Sequence, residues 1–137
     1  MRTVTTCAVL LLVALASPAP ARIPAVKIVE VSVKPAESGG PCPVTLTFRA
    51  SVLLDMKSKF TYEWKLSTGE PDRNHHGPVW ADGENAVALT QEWPFGENTP
   101  AFHPYRGWVK LYVRSPAPVL SDPVPFTVDC GAPPPGR

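Results

Sequence analysis

Nine residues limit this chain's fold more than any others: Lys59 to Ser67, Lys-Phe-Thr-Tyr-Glu-Trp-Lys-Leu-Ser. Phe60, Tyr62, Trp64 and Leu66 fall on one side of an extended backbone, and Thr61, Glu63, Lys65 and Ser67 on the other. Strict period-2 alternation marks a β-strand with one face buried and one wet. A strand with three aromatic residues on its inner face needs a second layer to cover it. The chain also holds eighteen prolines. They fall between the periodic segments, where they punctuate turns and strand edges and rule out long helices. No window after residue 25 carries a 3.6-residue apolar repeat.

Further strands follow from the same reading. Ala25–Val33 sets Val29, Val31 and Val33 on one face, with Glu30 and Ser32 opposite. Lys34–Pro41 is a turn. Val44–Ser51 alternates Val, Leu, Phe and Ala against Thr, Thr, Arg and Ser, and the alternation lapses at Val52-Leu53-Leu54, which predicts a bulge. A short edge strand is expected around Val79-Trp80. Ala86–Trp93 places Val87, Leu89, Gln91 and Trp93 together. Gly107–Val113 turns Val109, Leu111 and Val113 inward and Trp108, Lys110 and Tyr112 outward. Val124–Cys130 is the last strand. Two long segments, Ser67–Asn85 and Pro94–Arg106, read as loops. About seven short strands without helices predict an all-β, immunoglobulin-like antiparallel sandwich, with a closed barrel as the alternative.

Residues 1–21 read as a secretory signal peptide: Arg2, an apolar core Ala8–Ala16, and small-x-small patterns ending at Ala16 and Ala21. The apolar run falls short of the roughly 20 residues a membrane span needs. The sandwich then occupies 22–130, and the Pro/Gly-rich 131–137 is a disordered tail. A secreted location leaves Cys42 and Cys130 in an oxidising compartment, where a disulfide is expected. Each cysteine shares the parity of the apolar face beside it. A pair of free buried thiols is the alternative. In the chain-entropy model, closing a loop of roughly 90 residues contributes about 4–5 kcal/mol.

Phe60-x-Tyr62-x-Trp64 followed by Ser67-Thr68-Gly69 resembles the Tyr-x-Trp…Gly strand of small secreted bacterial Ig-like domains and of the polycystic-kidney-disease type. Cys42-Pro43-Val44-x-Leu46-x-Phe48 is similar to their second strand. Gly107-Trp108-Val109-x-Leu111-x-Val113 and Phe126-x-Val128-x-Cys130 are similar to their last two. The resemblance spans most of residues 25–130. It implies a disulfide-stapled sandwich used in adhesion, recognition or surface spacing, and it brings no catalytic residues. Two departures stand out. The second cysteine lies in the final strand with no Tyr-x-Cys before it, so the antibody-type pattern is not met, and the Gly-Asp-Gly of the polycystic-kidney-disease type is absent.

Thirteen Lys and Arg stand against twelve Asp and Glu, and removing Arg2 with the signal peptide leaves twelve of each. A balanced total predicts no field for nucleic acid or an anionic membrane. His75, His76 and His103 lie in the long loops without metal-ligand spacing, so no metal and no cofactor is expected. Neither a nucleophile motif nor a paired acid and base stands out, which predicts a protein that is not an enzyme. Asp82-Gly83-Glu84-Asn85 reads as a turn. The remaining aromatic residues have two open roles. Trp80, Trp93, Tyr105 and Trp108, with Phe95 and Phe102, either form a ligand platform on the loops or fold back to roof the core. The expectation is a secreted, monomeric, non-enzymatic module that recognises an extracellular protein or glycan through its long loops. A carbohydrate-binding module using the loop tryptophans and a protease inhibitor presenting Pro94–Arg106 are the alternatives.

Overall fold

Alternation along the chain becomes alternation of burial. In the computed structural model, which describes residues 17–69, 76–96 and 105–131, the strand predicted over Lys59–Ser67 is β4 (Ser58–Leu66), with Phe60, Tyr62, Trp64 and Leu66 all buried. The other strands are β1 (Val26–Lys34), β2 (Glu37–Gly39), β3 (Val44–Leu54), β5 (His76–Ala81), β6 (Val87–Phe95), β7 (Tyr105–Ser115), β8 (Val119–Leu120) and β9 (Val124–Asp129). The described residues contain no helix. The strand count exceeds about seven because of β2 and β8, which are too short to show a period.

The strands form two sheets. One has the order β1-β3-β6 and is antiparallel throughout. The other has the order β2-β9-β7-β4-β5, with β8 also paired to β7. Its only parallel ladder among the described strands joins β2 to β9. The chain therefore changes sheets five times, at β1–β2, β2–β3, β3–β4, β5–β6 and β6–β7. This is an immunoglobulin-like sandwich, and β4 is an interior strand of the larger sheet, flanked by β5 and β7.

The two inner faces meet around Trp64. Its ring lies 5.7 Å from that of Phe48 on the facing sheet, and Phe48 also reaches Phe126 at 6.2 Å. Leu46, Val52, Leu54, Phe60, Val109, Leu111, Val113 and Val128 complete a core with no accessible surface. Removing a fully buried Trp of this kind costs about 3–5 kcal/mol.

The disulfide forms between Cys42 and Cys130, with Cα atoms 5.3 Å apart and a sequence separation of 88. Each cysteine sits just outside a strand, one before β3 and one after β9, so the bond ties the two sheets at one end. Gly96 follows β6 at a φ of +85°, and a Cβ there would come within 2.8–2.9 Å of both sulfurs.

Two strand details differ from the sequence reading. Val29 is half exposed, because the β1–β3 register slips between Ile28 and Glu30. The bulge transfers the core face from Val29 to Val26 and Ile28. In β3 no bulge is needed at Val52-Leu53-Leu54: Val52 and Leu54 stay buried in phase and Leu53 faces outward opposite Lys27. Before β1, Asp55 accepts a hydrogen bond from the Ala25 N–H at 2.7 Å and pairs with Arg22, fixing the chain from residue 22. Residues 1–16 and 132–137, and with them most of the signal-peptide segment and the tail, lie outside the described residues. Among the described residues no helix is long and apolar enough to cross a membrane.

Candidate functional site

The outer face of the larger sheet collects the polar halves of β4 and β7. Because inner positions are apolar, the alternate residues of β4 (Lys59, Thr61, Glu63, Lys65) and of β7 (Arg106, Trp108, Lys110, Tyr112, Arg114) emerge together. Those two strands thus present Lys59, Lys65, Arg106, Lys110 and Arg114 against one carboxylate, Glu63. The balanced total charge hid this segregation, because charge sums average over faces that a ligand meets separately.

Register decides what the cations touch. Lys59 is paired with Trp80 of β5, Glu63 with Tyr112, and Lys65 with Lys110. The Lys59 ammonium lies 4.6 Å from the centre of the Trp80 ring. Lys65 lies 5.1 Å from the Tyr112 ring and Lys110 4.8 Å from the Trp108 ring. These are cation–π distances. Lys65 and Lys110 are like charges at directly opposed positions, an arrangement that costs stability. Each ammonium lies over an aromatic face, and Lys65 is also 2.7 Å from Glu63, which reaches Arg114 at 3.6 Å.

The backbone under this face is held firmly. Ser67 Oγ accepts the Trp108 N–H at 3.0 Å and shares a 2.7 Å hydrogen bond with the Tyr105 hydroxyl. A Cβ at Gly107 would lie 2.5–2.9 Å from Tyr105, Ser67 and Phe126, so only glycine fits between them. Ser121 bridges the gap between β8 and β9: its Oγ accepts the Leu111 N–H at 2.9 Å, and its own N–H donates to the Leu111 carbonyl at 2.9 Å.

Two clefts flank the face. One, of about 530 Å³, is lined by Lys57, Trp80, Asp82, Asn85 and Val87 among others. Its rim is the Asp82–Asn85 turn. Asp82 Oδ1 accepts the N–H groups of Glu84 and Asn85, each at 2.8 Å, and Oδ2 accepts the Asn85 side-chain amide. The Asn85 backbone and side-chain hydrogen bonds, then that of Glu84, lower the Asp82 pKa to about 2. The second cleft, of about 570 Å³, joins Arg106 to Ser38, Thr127 and Asp129.

The four aromatic candidates do not form one loop platform. Trp80 is 60 % exposed, on a strand rather than a loop, and Trp108 shares its sheet face. Trp93 turns inward, with its ring 6.4 Å from Phe48. Tyr105 packs 6.2 Å from Phe95 and 6.0 Å from Phe126, closing the end of the core. The long loops lie partly outside the described residues, as do Phe102, His75 and His103. Among the described residues no three His, Cys, Asp or Glu side chains gather as metal ligands. Lys59, Lys65, Lys110 and Tyr112 were not among the sequence candidates. Their outward phase was legible, but their pairing across strands was not.

No family model matches this chain, and no curated protein matches it. Among solved structures, the fold is similar to the Pseudomonas fluorescens alkylpurine DNA glycosylase AlkC bound to DNA containing an abasic site analog. That similarity has 17 % identity and a TM-score of 0.52, and it covers 76 % of this chain and 30 % of that one. At this identity it describes the fold, and the chain spans under a third of the glycosylase. It nonetheless overturns the expected function, since this structural neighbour is a DNA glycosylase holding DNA. Recognition or adhesion through the long loops, together with its carbohydrate-binding and protease-inhibitor alternatives, is therefore withdrawn. The inward turn of Trp93 and Tyr105 gives a physical reason: two of the four supposed contact residues pack against the core.

Proposed function

We propose that this chain is a non-enzymatic binding module that takes nucleic acid on the outer face of its larger sheet. The observation that carries this reading is the set of three lysine–ring pairs, Lys59–Trp80, Lys65–Tyr112 and Lys110–Trp108, on one sheet face. Cations supply phosphate contacts and release counterions, and rings supply stacking surface. The fold's similarity to a glycosylase structure that contains DNA supports the same class of ligand.

Export belongs to the same proposal. The signal-peptide pattern of residues 1–21 and the Cys42–Cys130 bond support a secreted protein of the small bacterial Ig-like kind. The nucleic acid it meets is then outside the cytoplasm. The test is fluorescence anisotropy of a labelled 20-nucleotide DNA with the purified oxidised protein at low and at physiological salt. Saturable binding that weakens with salt is expected. No binding at low salt sinks the proposal.

A further inference from the structure

We infer that the nucleic acid bound by this face is single-stranded, with bases replacing lysines on the rings. This deepens the nucleic-acid reading above and rests on it. On β7, Trp108 and Tyr112 are four residues apart, about 14 Å at the rise of an antiparallel strand. Lys110 lies between them, and its directly opposed partner on β4 is Lys65. The order along the sheet is therefore ring, cation pair, ring. A single strand alternates planar bases with phosphates and fits that order, its bases on Trp108 and Tyr112 and its backbone across Lys65 and Lys110.

A duplex fits it less well. Its base faces are stacked on one another, and only base edges and phosphates reach the surface. It could use the lysines but would leave the rings unused. A solvent-facing ring on a flat sheet meets a base face only when the bases are unstacked. Trp80, exposed and beside the 530 Å³ cleft, offers a third such face.

The lysines explain how the free protein keeps these rings, half-buried for Trp108 and Tyr112 and exposed for Trp80, at its surface. Each ammonium lies 4.6–5.1 Å from a ring centre. When a base arrives, the ammonium moves from ring to phosphate. For Lys65 and Lys110 the phosphate also relieves the repulsion of two opposed like charges. No bond is made or broken in this exchange.

The experiment compares three probes: a labelled dT oligomer, the same oligomer annealed to its dA complement, and inorganic polyphosphate as competitor. Anisotropy reads affinity, and tryptophan emission reads stacking. The single strand is expected to bind at least about tenfold more tightly than the duplex and to quench emission. Tyr112→Leu and the exposed Trp80→Leu are each expected to weaken single-strand binding about tenfold without changing the salt slope. Lys65→Gln is expected to make the log–log salt slope shallower by about 0.7. Emission of the buried Trp64 on urea unfolding verifies that each variant is folded. Equal or tighter duplex binding overturns the single-strand inference and leaves the nucleic-acid reading standing. Polyphosphate that competes as well as unlabelled dT, without base-dependent quenching, overturns the stacking. Failure of both DNA forms to bind removes the underlying reading as well.

Discussion

Gly96→Ala offers a worked test of how this sandwich is closed. Gly96 adopts a φ of +85°, where an L residue is strained by about 1–2 kcal/mol. Its missing Cβ leaves room for the disulfide: a methyl would sit 2.8 Å from Cys42 Sγ, 2.9 Å from Cys130 Sγ and 2.9 Å from Cys42 Cβ. Forcing a methyl into a packed site costs a further ~1–3 kcal/mol. The substitution is therefore expected to destabilise the oxidised protein by about 2–5 kcal/mol, taking the two costs together. In a Cys42→Ala, Cys130→Ala background both sulfur contacts are gone, which leaves the backbone strain of about 1–2 kcal/mol and the one contact with the residue-42 Cβ. Urea unfolding of the four proteins, followed by Trp64 emission, closes a double-mutant cycle with a coupling of about 1–3 kcal/mol. Equal costs in both backgrounds would refute the packing of Gly96 on the bond. A cost under about 0.5 kcal/mol in the oxidised protein would refute the strain as well.

Other outcomes follow from the same geometry. Opening the disulfide, which spans a sequence separation of 88, is expected to lower stability by about 4–5 kcal/mol, read as a fall in the urea midpoint on adding reductant. Trp64→Ala is expected to cost about 3–5 kcal/mol by the same assay, since its ring is the centre of the core. The Asp82 pKa falls from 3.8 to about 2 on folding, so its hydrogen bonds add stability above pH 3.8 that is lost as pH falls toward 2. Urea midpoints between pH 5 and 2 are expected to fall less steeply for Asp82→Asn than for the parent. Glu63→Gln removes the anion nearest Lys65 and is expected to tighten single-strand binding by up to about fivefold, measured by anisotropy at low salt.

Much of this fold was legible in strand parity. The inner residues of β4, β6, β7 and β9 follow from alternation, and the Cys42–Cys130 pair follows from compartment and phase. What escaped was decided between strands. Val29 reads as a core residue until the β3 register shifts it outward. Leu53 reads as a break in the pattern until its outward position opposite Lys27 shows an uninterrupted strand. β2 and β8 exist only because β9 and β7 offer edges to pair with. The candidate site escaped for the same reason. Trp108, Lys110 and Tyr112 were read as outward, but nothing in a linear sequence places Lys65 over Tyr112 or Lys59 over Trp80. Composition misled in a different way, since a balanced total conceals cations sorted onto one face.

The three-residue ladder of β2 on β9 has one more consequence. A parallel pairing this short holds poorly by itself, yet Cys42 follows β2 by three residues and its bond to Cys130 anchors that segment beside the end of β9. The covalent bond thereby works as a latch on a guard strand that covers the edge of the larger sheet. With the latch open, β2 is expected to peel away first, and the Thr127 amide, which donates to the Ala36 carbonyl at 2.8 Å, to lose its protection from hydrogen exchange before the core does. The uncovered edge of β9 then becomes a template for another chain, so mild reduction is expected to produce association before it produces unfolding.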